Sequence, residues 1–220
     1  MSTATDKRAA RTRVSHGQAA DIWRRLIQNK KAVGALIVLA LLLFLVIFAN
    51  LLIPYGKAID LNPADRLQWP NAQHWFGTDQ YGRDILARVV YGARISLLMG
   101  FGATAISALF GTVIGTTSAY LGGRVDSVIT RILDTWMAVP ALLVTLALIA
   151  GIGRGLTQTI VALAVGGIPG FARVLRAAAL DVVHRDYMEA VNALGASRAR
   201  AVFRHVVPNV MSQVLIQATS

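Results

Sequence analysis

Apolar residues in this chain gather in long runs separated by shorter polar stretches. Ala32 to Ile53 is twenty-two residues without a charged side chain, and Ile95 to Leu121 is twenty-seven. A helix rises about 1.5 Å per residue and the hydrocarbon layer is about 30 Å thick, so about 20 such residues cross it. Both runs therefore predict membrane-spanning helices. Two shorter runs follow, Met137 to Ile152 and Leu156 to Phe171, divided by a turn at Gly153 to Gly155. Each borrows length from its flank: Ile132, Leu133 and Trp136 extend the third, while Ala172, Val174 and Leu175 extend the fourth and Arg173 snorkels. Beyond Pro208 the chain turns apolar once more, in "VVPNVMSQVLIQATS", and reaches Ser220 too soon to cross, which reads as the start of a fifth span. The predicted fold is all-α, a polytopic transmembrane bundle of four complete spans and the beginning of a fifth. Its parts are a polar tail (1–31), a first span (32–53), a loop with an interfacial helix (54–94) and a larger membrane body (95–220).

The stretches between and within the spans carry further patterns. Ile85, Leu86, Val89, Val90 and Ala93 share one helical face while Arg83, Asp84 and Arg88 lie elsewhere, predicting an amphipathic helix that leads into the second span with Tyr91 near the headgroups. Gly100, Gly102, Gly111 and Gly115 crowd that span, the last two as G-x-x-x-G. Lipid tails are as apolar as leucine, so membrane helices associate by close backbone approach, and these small residues predict helical neighbours. "GGRVDSVITRILDTW", Gly122 to Trp136, reads as a polar break. In the fourth run, "GGIPG" brings together Gly166, Gly167, Pro169 and Gly170. Proline removes a backbone donor and clashes with the preceding turn, so a bend and a candidate hinge are expected there.

One polar interlude stands apart. "DYMEAVNALGASRARAVFRHVVPN", Asp186 to Asn209, holds the only glutamate of the chain. Tyr187, Ala190, Val191 and Leu194 form an apolar stripe at i, i+3, i+4 and i+7, while Arg185, Glu189 and Asn192 point another way, with Arg185 and Glu189 spaced as an exposed ion pair. Gly195 fits a helix C-cap, and Ser197 an N-cap for a second short helix carrying Val202, Phe203 and Val206, with Pro208 beyond. Two short amphipathic helices with a glycine joint offer an anchor set for a partner's groove; a helical linker resting on lipid is the plainer alternative.

Charge changes the picture in one respect. The net charge is +11, yet the basic residues sit in blocks: eight of twenty-two precede the first span and six lie between Arg173 and Arg204. They are not interleaved with aromatic platforms, which argues against a nucleic-acid partner. With the N-terminus inside, the inner segments hold sixteen Lys and Arg and the outer loops six, so the N-terminus and the interlude are predicted to be cytoplasmic. Candidate chemistry is sparse. There is no cysteine, the four histidines (His16, His74, His184, His205) show no ligand spacing, and neither G-x-S-x-G nor G-x-x-x-x-G-K-[ST] occurs. "GFGATA", Gly100 to Ala105, has dinucleotide-loop spacing but lies inside an uncharged run, where no phosphate loop can face water. No catalytic residue, metal site or cofactor is expected, and any dependence on ATP must come from another chain.

"EAVNALG", Glu189 to Gly195, followed by "HVVPN", His205 to Asn209, resembles the cytoplasmic signature of the permease subunits of bacterial ABC importers, with Val191 in place of the second of two alanines. "FGTDQYGRDILARVVYGARISLLMG" (Phe76 to Gly100) and "FARVLRAAALDVVHRDYMEAVNALGAS" (Phe171 to Ser197) are similar to the second permease of dipeptide and oligopeptide importers, a branch that includes nickel permeases. The resemblance covers nearly all of the chain from about residue 20. It implies six spans in the bacterial inner membrane, a second permease subunit, two cytoplasmic ATP-binding subunits and an extracytoplasmic solute-binding protein. It also implies that the loop 181–209 is a coupling element docked on an ATPase, with Tyr187, Glu189, Ala190, Leu194, Gly195, Ala196, His205 and Pro208 belonging to it. Nickel or another small solute as cargo, and a membrane scaffold that moves nothing, are the competing expectations.

Overall fold

The computed structural model describes residues 26–220, so most of the predicted tail, with His16 and six of its eight basic residues, lies outside the described residues. The chain divides into two units, the first ending at Arg94 and the second running from Ile95 to Ser220. Among the described residues three helices are long and apolar enough to cross a membrane, and up to four spans result if one bent pair counts as a single crossing.

In the first unit, α1 (Lys30–Ile47) starts at Asn29, whose side chain accepts from the Lys31 and Ala32 amides at 3.1 and 3.3 Å. Nearly all of its apolar side chains are exposed, as expected of a helix that lipid surrounds. Two single turns follow, α2 (Ala49–Leu52) and α3 (Gly56–Ile59), and then a loop carries the chain to α4 (Ile85–Leu121). The predicted interfacial helix is the opening of α4, which runs unbroken into the second span over 37 residues. Asp84 caps it, accepting from the Ala87 amide at 2.9 Å, and its other oxygen lies 2.9 Å from His74 Nδ1. Tyr91 donates its hydroxyl to the Ile53 carbonyl at 2.7 Å, which ties α4 to the end of the first span over Ala49, Ala58 and Ala87. The loop is held by Asp79. Burial works against its ionisation, but the Arg83 side chain and the Tyr81 and Arg83 amides outweigh it and hold the carboxyl well below the usual carboxylate range.

The second unit is organised by the crossing of α4 with α7 (Leu156–Val183). Gly102 meets Ile160, the Ser107 hydroxyl donates to the Ala164 carbonyl at 2.8 Å, Gly111 meets Ile168 to Ala172, and Gly115 meets Ala172 and Arg176. Positions rise together on both helices, so the two run parallel. The hydroxyls of Thr112 and Thr116 donate back to carbonyls of their own helix, at 2.5 and 2.6 Å, which leaves the contact face without a bare polar group. The G-x-x-x-G neighbour anticipated from sequence is thus a helix of the same chain.

Between these helices the structure departs from the sequence reading. Gly122 to Trp136 is no break but an amphipathic helix, α5 (Gly123–Met137), and α6 (Ala141–Ile152) leaves it at 83°. Ile132, Leu133 and Trp136 therefore do not extend the third apolar run. Pro140 is the reason: it forces the residue before it away from helical geometry, and it sits at the N-cap of α6 with ψ 129°. α6 lies antiparallel to α7, with Thr145 at Ala162 and Ala141 at Gly166. α5 is drawn to the far end of α7 by charge: Asp126 accepts from Ser118 Oγ and Arg176 Nε, each at 2.6 Å, and Asp134 pairs with Arg173. α7 itself passes through Pro169 without interruption and continues to Val183, beyond the end anticipated at Leu175.

Candidate partner-docking site

Two residues, His184 and Arg185, separate α7 from the short helix α8 (Asp186–Ala193). Arg185 is extended (φ −82°, ψ 143°), so it lies off the helical ladder, and among the described residues no ion pair joins it to Glu189. The anticipated Arg185–Glu189 pair is absent for that reason. Glu189 instead sits with Asp186 in the first turn, where the helix dipole favours negative charge.

The apolar stripe also splits. Val191 turns inward, but the anchor is Met188, only 1% exposed, which packs among Ala119, Ala179, Val182, Ala201, Val206 and Val210. Tyr187, Ala190 and Leu194 remain on the outside, Leu194 at 87% exposure. Sequence reasoning missed Met188 because it lies about 100° around the helix from Tyr187, off the i, i+3, i+4, i+7 stripe, and only the neighbouring helices make that side the covered one. It also missed Tyr120, whose hydroxyl at the end of α4 donates to Asn192 Oδ1 at 2.8 Å across 72 residues of chain.

Gly195 is the joint. Its φ is +76°, its amide donates to the Asn192 carbonyl at 3.0 Å, and the Ala196 amide donates to the Val191 carbonyl at 3.3 Å. That pair of bonds is a Schellman cap, as the sequence suggested. Ser197 then caps α9 (Arg198–Ala201), its side chain accepting from the Arg200 amide at 3.4 Å. The expected stop before Pro208 does not occur. The chain goes through a π-helical turn, Val202–Val206, directly into α10 (Val207–Ala218), with Pro208 exposed in the first turn of α10. A proline cannot donate to the carbonyl four residues back, and widening the preceding turn to five-residue bonds, such as Val207 N–H to Val202 O, lets the helix pass it. Asn209 supplies a side-chain donor to the His205 carbonyl at 2.7 Å, while His205 itself is half-buried in the turn. Of the hinge residues, Gly166 abuts Thr145 of α6, Gly167 abuts Ser107 of α4, Pro169 is buried and Gly170 faces open space.

The arrangement is a short helix buried on one side and outward-facing and apolar on the other, joined to α7 through His184 and Arg185 and to α10 through Gly195, α9 and the π turn. It has the geometry of a lever. Removing one of its ties is a direct test: Tyr120→Phe should cost about 1 kcal/mol, the net worth of a hydrogen bond, and hydrogen exchange over residues 186–195 should become about fivefold faster while exchange in α4 stays the same.

Residues 107–220 match the family described as binding-protein-dependent transport system inner membrane component, and residues 17–70 match the N-terminal transmembrane domain of oligopeptide transport permease C. The chain belongs to the binding-protein-dependent permease family. It is similar to the dipeptide transport system permease protein DppC of Alkalihalophilus pseudofirmus, 38% identical over 199 residues that cover 90% of this chain and 65% of the relative. DppC of Bacillus subtilis is 38% identical over 199 residues, covering 90% of this chain and 62% of the relative. The oligopeptide transport system permease protein OppC of Bacillus subtilis is 37% identical over 200 residues, covering 90% and 65%. The chain thus spans less than two thirds of the length of these relatives. Within the permease, the whole of the α8–π-turn site falls inside the family match, as does the α4–α7 crossing from Ser107 onward.

Proposed function

We propose that this permease chain forms part of the translocation path of an importer for dipeptides or oligopeptides, and that the work is done by ATP hydrolysed on separate chains. The chain itself is then a transport subunit and not an enzyme. Its partners are a second permease subunit, two cytoplasmic ATP-binding subunits and an extracytoplasmic solute-binding protein. The cargo class rests on the relatives, which are named for dipeptide and oligopeptide transport.

The observation that carries the reading is the outward face of α8: Tyr187, Ala190 and Leu194 are left uncovered although the opposite side is packed through Met188. A groove on a partner that takes these three side chains would move α8, and the packing of Met188, Val206 and Val210 would transmit the displacement to α7 and α10 together. Gly166 and Gly167, packed against Thr145 and Ser107, and the buried Pro169 of α7 are the hinge around which that motion would turn, with Gly170 on its open side. Orientation follows from the basic residues, sixteen against six in favour of a cytoplasmic N-terminus. Because α4 and α7 run parallel, the bent α5–α6 pair carries the chain back across the membrane once, giving four crossings before α10 begins another.

Cysteine is absent from the sequence, so Ala190→Cys gives a single reactive thiol. In membranes holding the assembled importer, this thiol should crosslink to an ATP-binding subunit, and peptide uptake should require both ATP and the binding protein. Uptake that follows an ion gradient without ATP, or labelling of the thiol only from the outer face, overturns the reading.

A further inference from the structure

A cleft of about 460 Å³ opens in the first unit, where the first span ends and α4 begins. Leu45, Leu52 and Ile53 line it from the first span, and Leu86 and Val90 from α4. Such a volume lies within the range of about 300–1,000 Å³ that encloses a small ligand. Its walls are apolar where the hydrocarbon layer ends, since the apolar run of the first span stops at Ile53.

The mouth has a different chemistry. Lys57 lies four residues past the end of the apolar run, is exposed and forms no ion pair among the described residues. Trp75, 68% exposed, stands at the same opening, and tryptophan favours the headgroup layer. The remaining charged group in the lining, Asp84, is 6% exposed and already engaged by His74 Nδ1 and the Ala87 amide.

We propose that this cleft binds one phospholipid, with an acyl chain between the first span and α4 and the phosphate on the Lys57 ammonium. A fatty chain satisfies apolar walls that water cannot, and a phosphate satisfies an unpaired cation at headgroup depth. A peptide fits less well, because its backbone needs a row of polar partners and the lining offers little beyond Lys57 and Gln73. The site is independent of the proposed transport cycle, since none of its residues belongs to α7, α8 or the π turn.

The test uses the full chain in nanodiscs that contain phosphatidylglycerol with a photoreactive acyl chain, followed by mass spectrometry of the adducts. Adducts should concentrate on residues 52–57 and 86–90. Lys57→Glu should lower their yield about tenfold, while Lys30→Glu, at the other end of α1, should leave it unchanged. Leu86→Trp, which fills the cleft, should also abolish the enrichment, and an unchanged unfolding midpoint establishes that the fold survives. Even labelling along the whole of α1, an undiminished yield in Lys57→Glu, or displacement of the lipid by added dipeptide each overturns the proposal.

Discussion

Gly115→Leu should lower the thermal midpoint of the detergent-solubilised protein by about 10 °C or prevent its accumulation. A Cβ at this position would lie 2.9 Å from the Arg176 amide nitrogen and closer still to the Ala172 carbonyl oxygen. Both are backbone atoms of α7, so no rotamer change relieves the contact and the helices must separate. Overpacking of this kind costs about 3 kcal/mol, which corresponds to about 6–12 °C for a chain of this size. Separation would also strip the Ser107 hydroxyl from the Ala164 carbonyl and pull Arg176 from Asp126, so the loss should exceed that of the clash alone. Gly111→Leu should behave alike, since its Cβ would press on Phe171 and lie 3.0 Å from the Ala172 amide nitrogen. Gly100→Ala, on the same helix with nothing within 4 Å, should leave the midpoint unchanged. A stable Gly115→Leu protein would mean that α4 and α7 do not cross at this point.

Gly195→Val should have the largest effect on function without a comparable effect on folding. Nothing lies within 4 Å of the missing side chain, so the penalty is entirely that of the backbone: φ is +76°, a region closed to a β-branched residue. The Schellman bonds from Gly195 and Ala196 would break, and the exit of α8 toward Ser197 would be redirected. α8 would stay anchored by Met188 but lose its fixed relation to the π turn and α10. In an importer assembled as proposed above, ATP hydrolysis should continue while peptide uptake falls at least tenfold. Gly195→Asn, which tolerates the left-handed conformation, should retain most of the uptake. Equal loss of hydrolysis and uptake in Gly195→Val, or no loss of either, would remove Gly195 from the coupling path.

The legible features were those that a stretch of chain decides by itself. α1 and α4 follow from uncharged runs longer than a bilayer, and the joint at Gly195 with the cap at Ser197 follows from local backbone chemistry. The bend before α6 had a local signal, Pro140, but the apolar run from Met137 to Ile152 masked it, because hydrophobicity reports depth and not direction. Helix α5 was read as a polar break, and what makes it part of the packed body is the pairing of Asp126 and Asp134. Their partners, Arg176 and Arg173, come from 50 and 39 residues away. The Arg185–Glu189 pair failed for the opposite reason: the spacing was right, but the turn out of α7 leaves Arg185 extended.

The sequence by itself determined that this chain crosses a membrane, where its two long spans lie, and that a short helix with a glycine exit follows the later apolar runs. Which face of that helix is covered was decided only by tertiary structure. Met188 and Leu194 are both apolar and within two turns of each other, yet one is 1% and the other 87% exposed, because Ala119, Ala179 and Val206 converge on the first alone. Periodicity fixes the angle between side chains around a helix; only the surfaces packed against that helix fix which angle points inward.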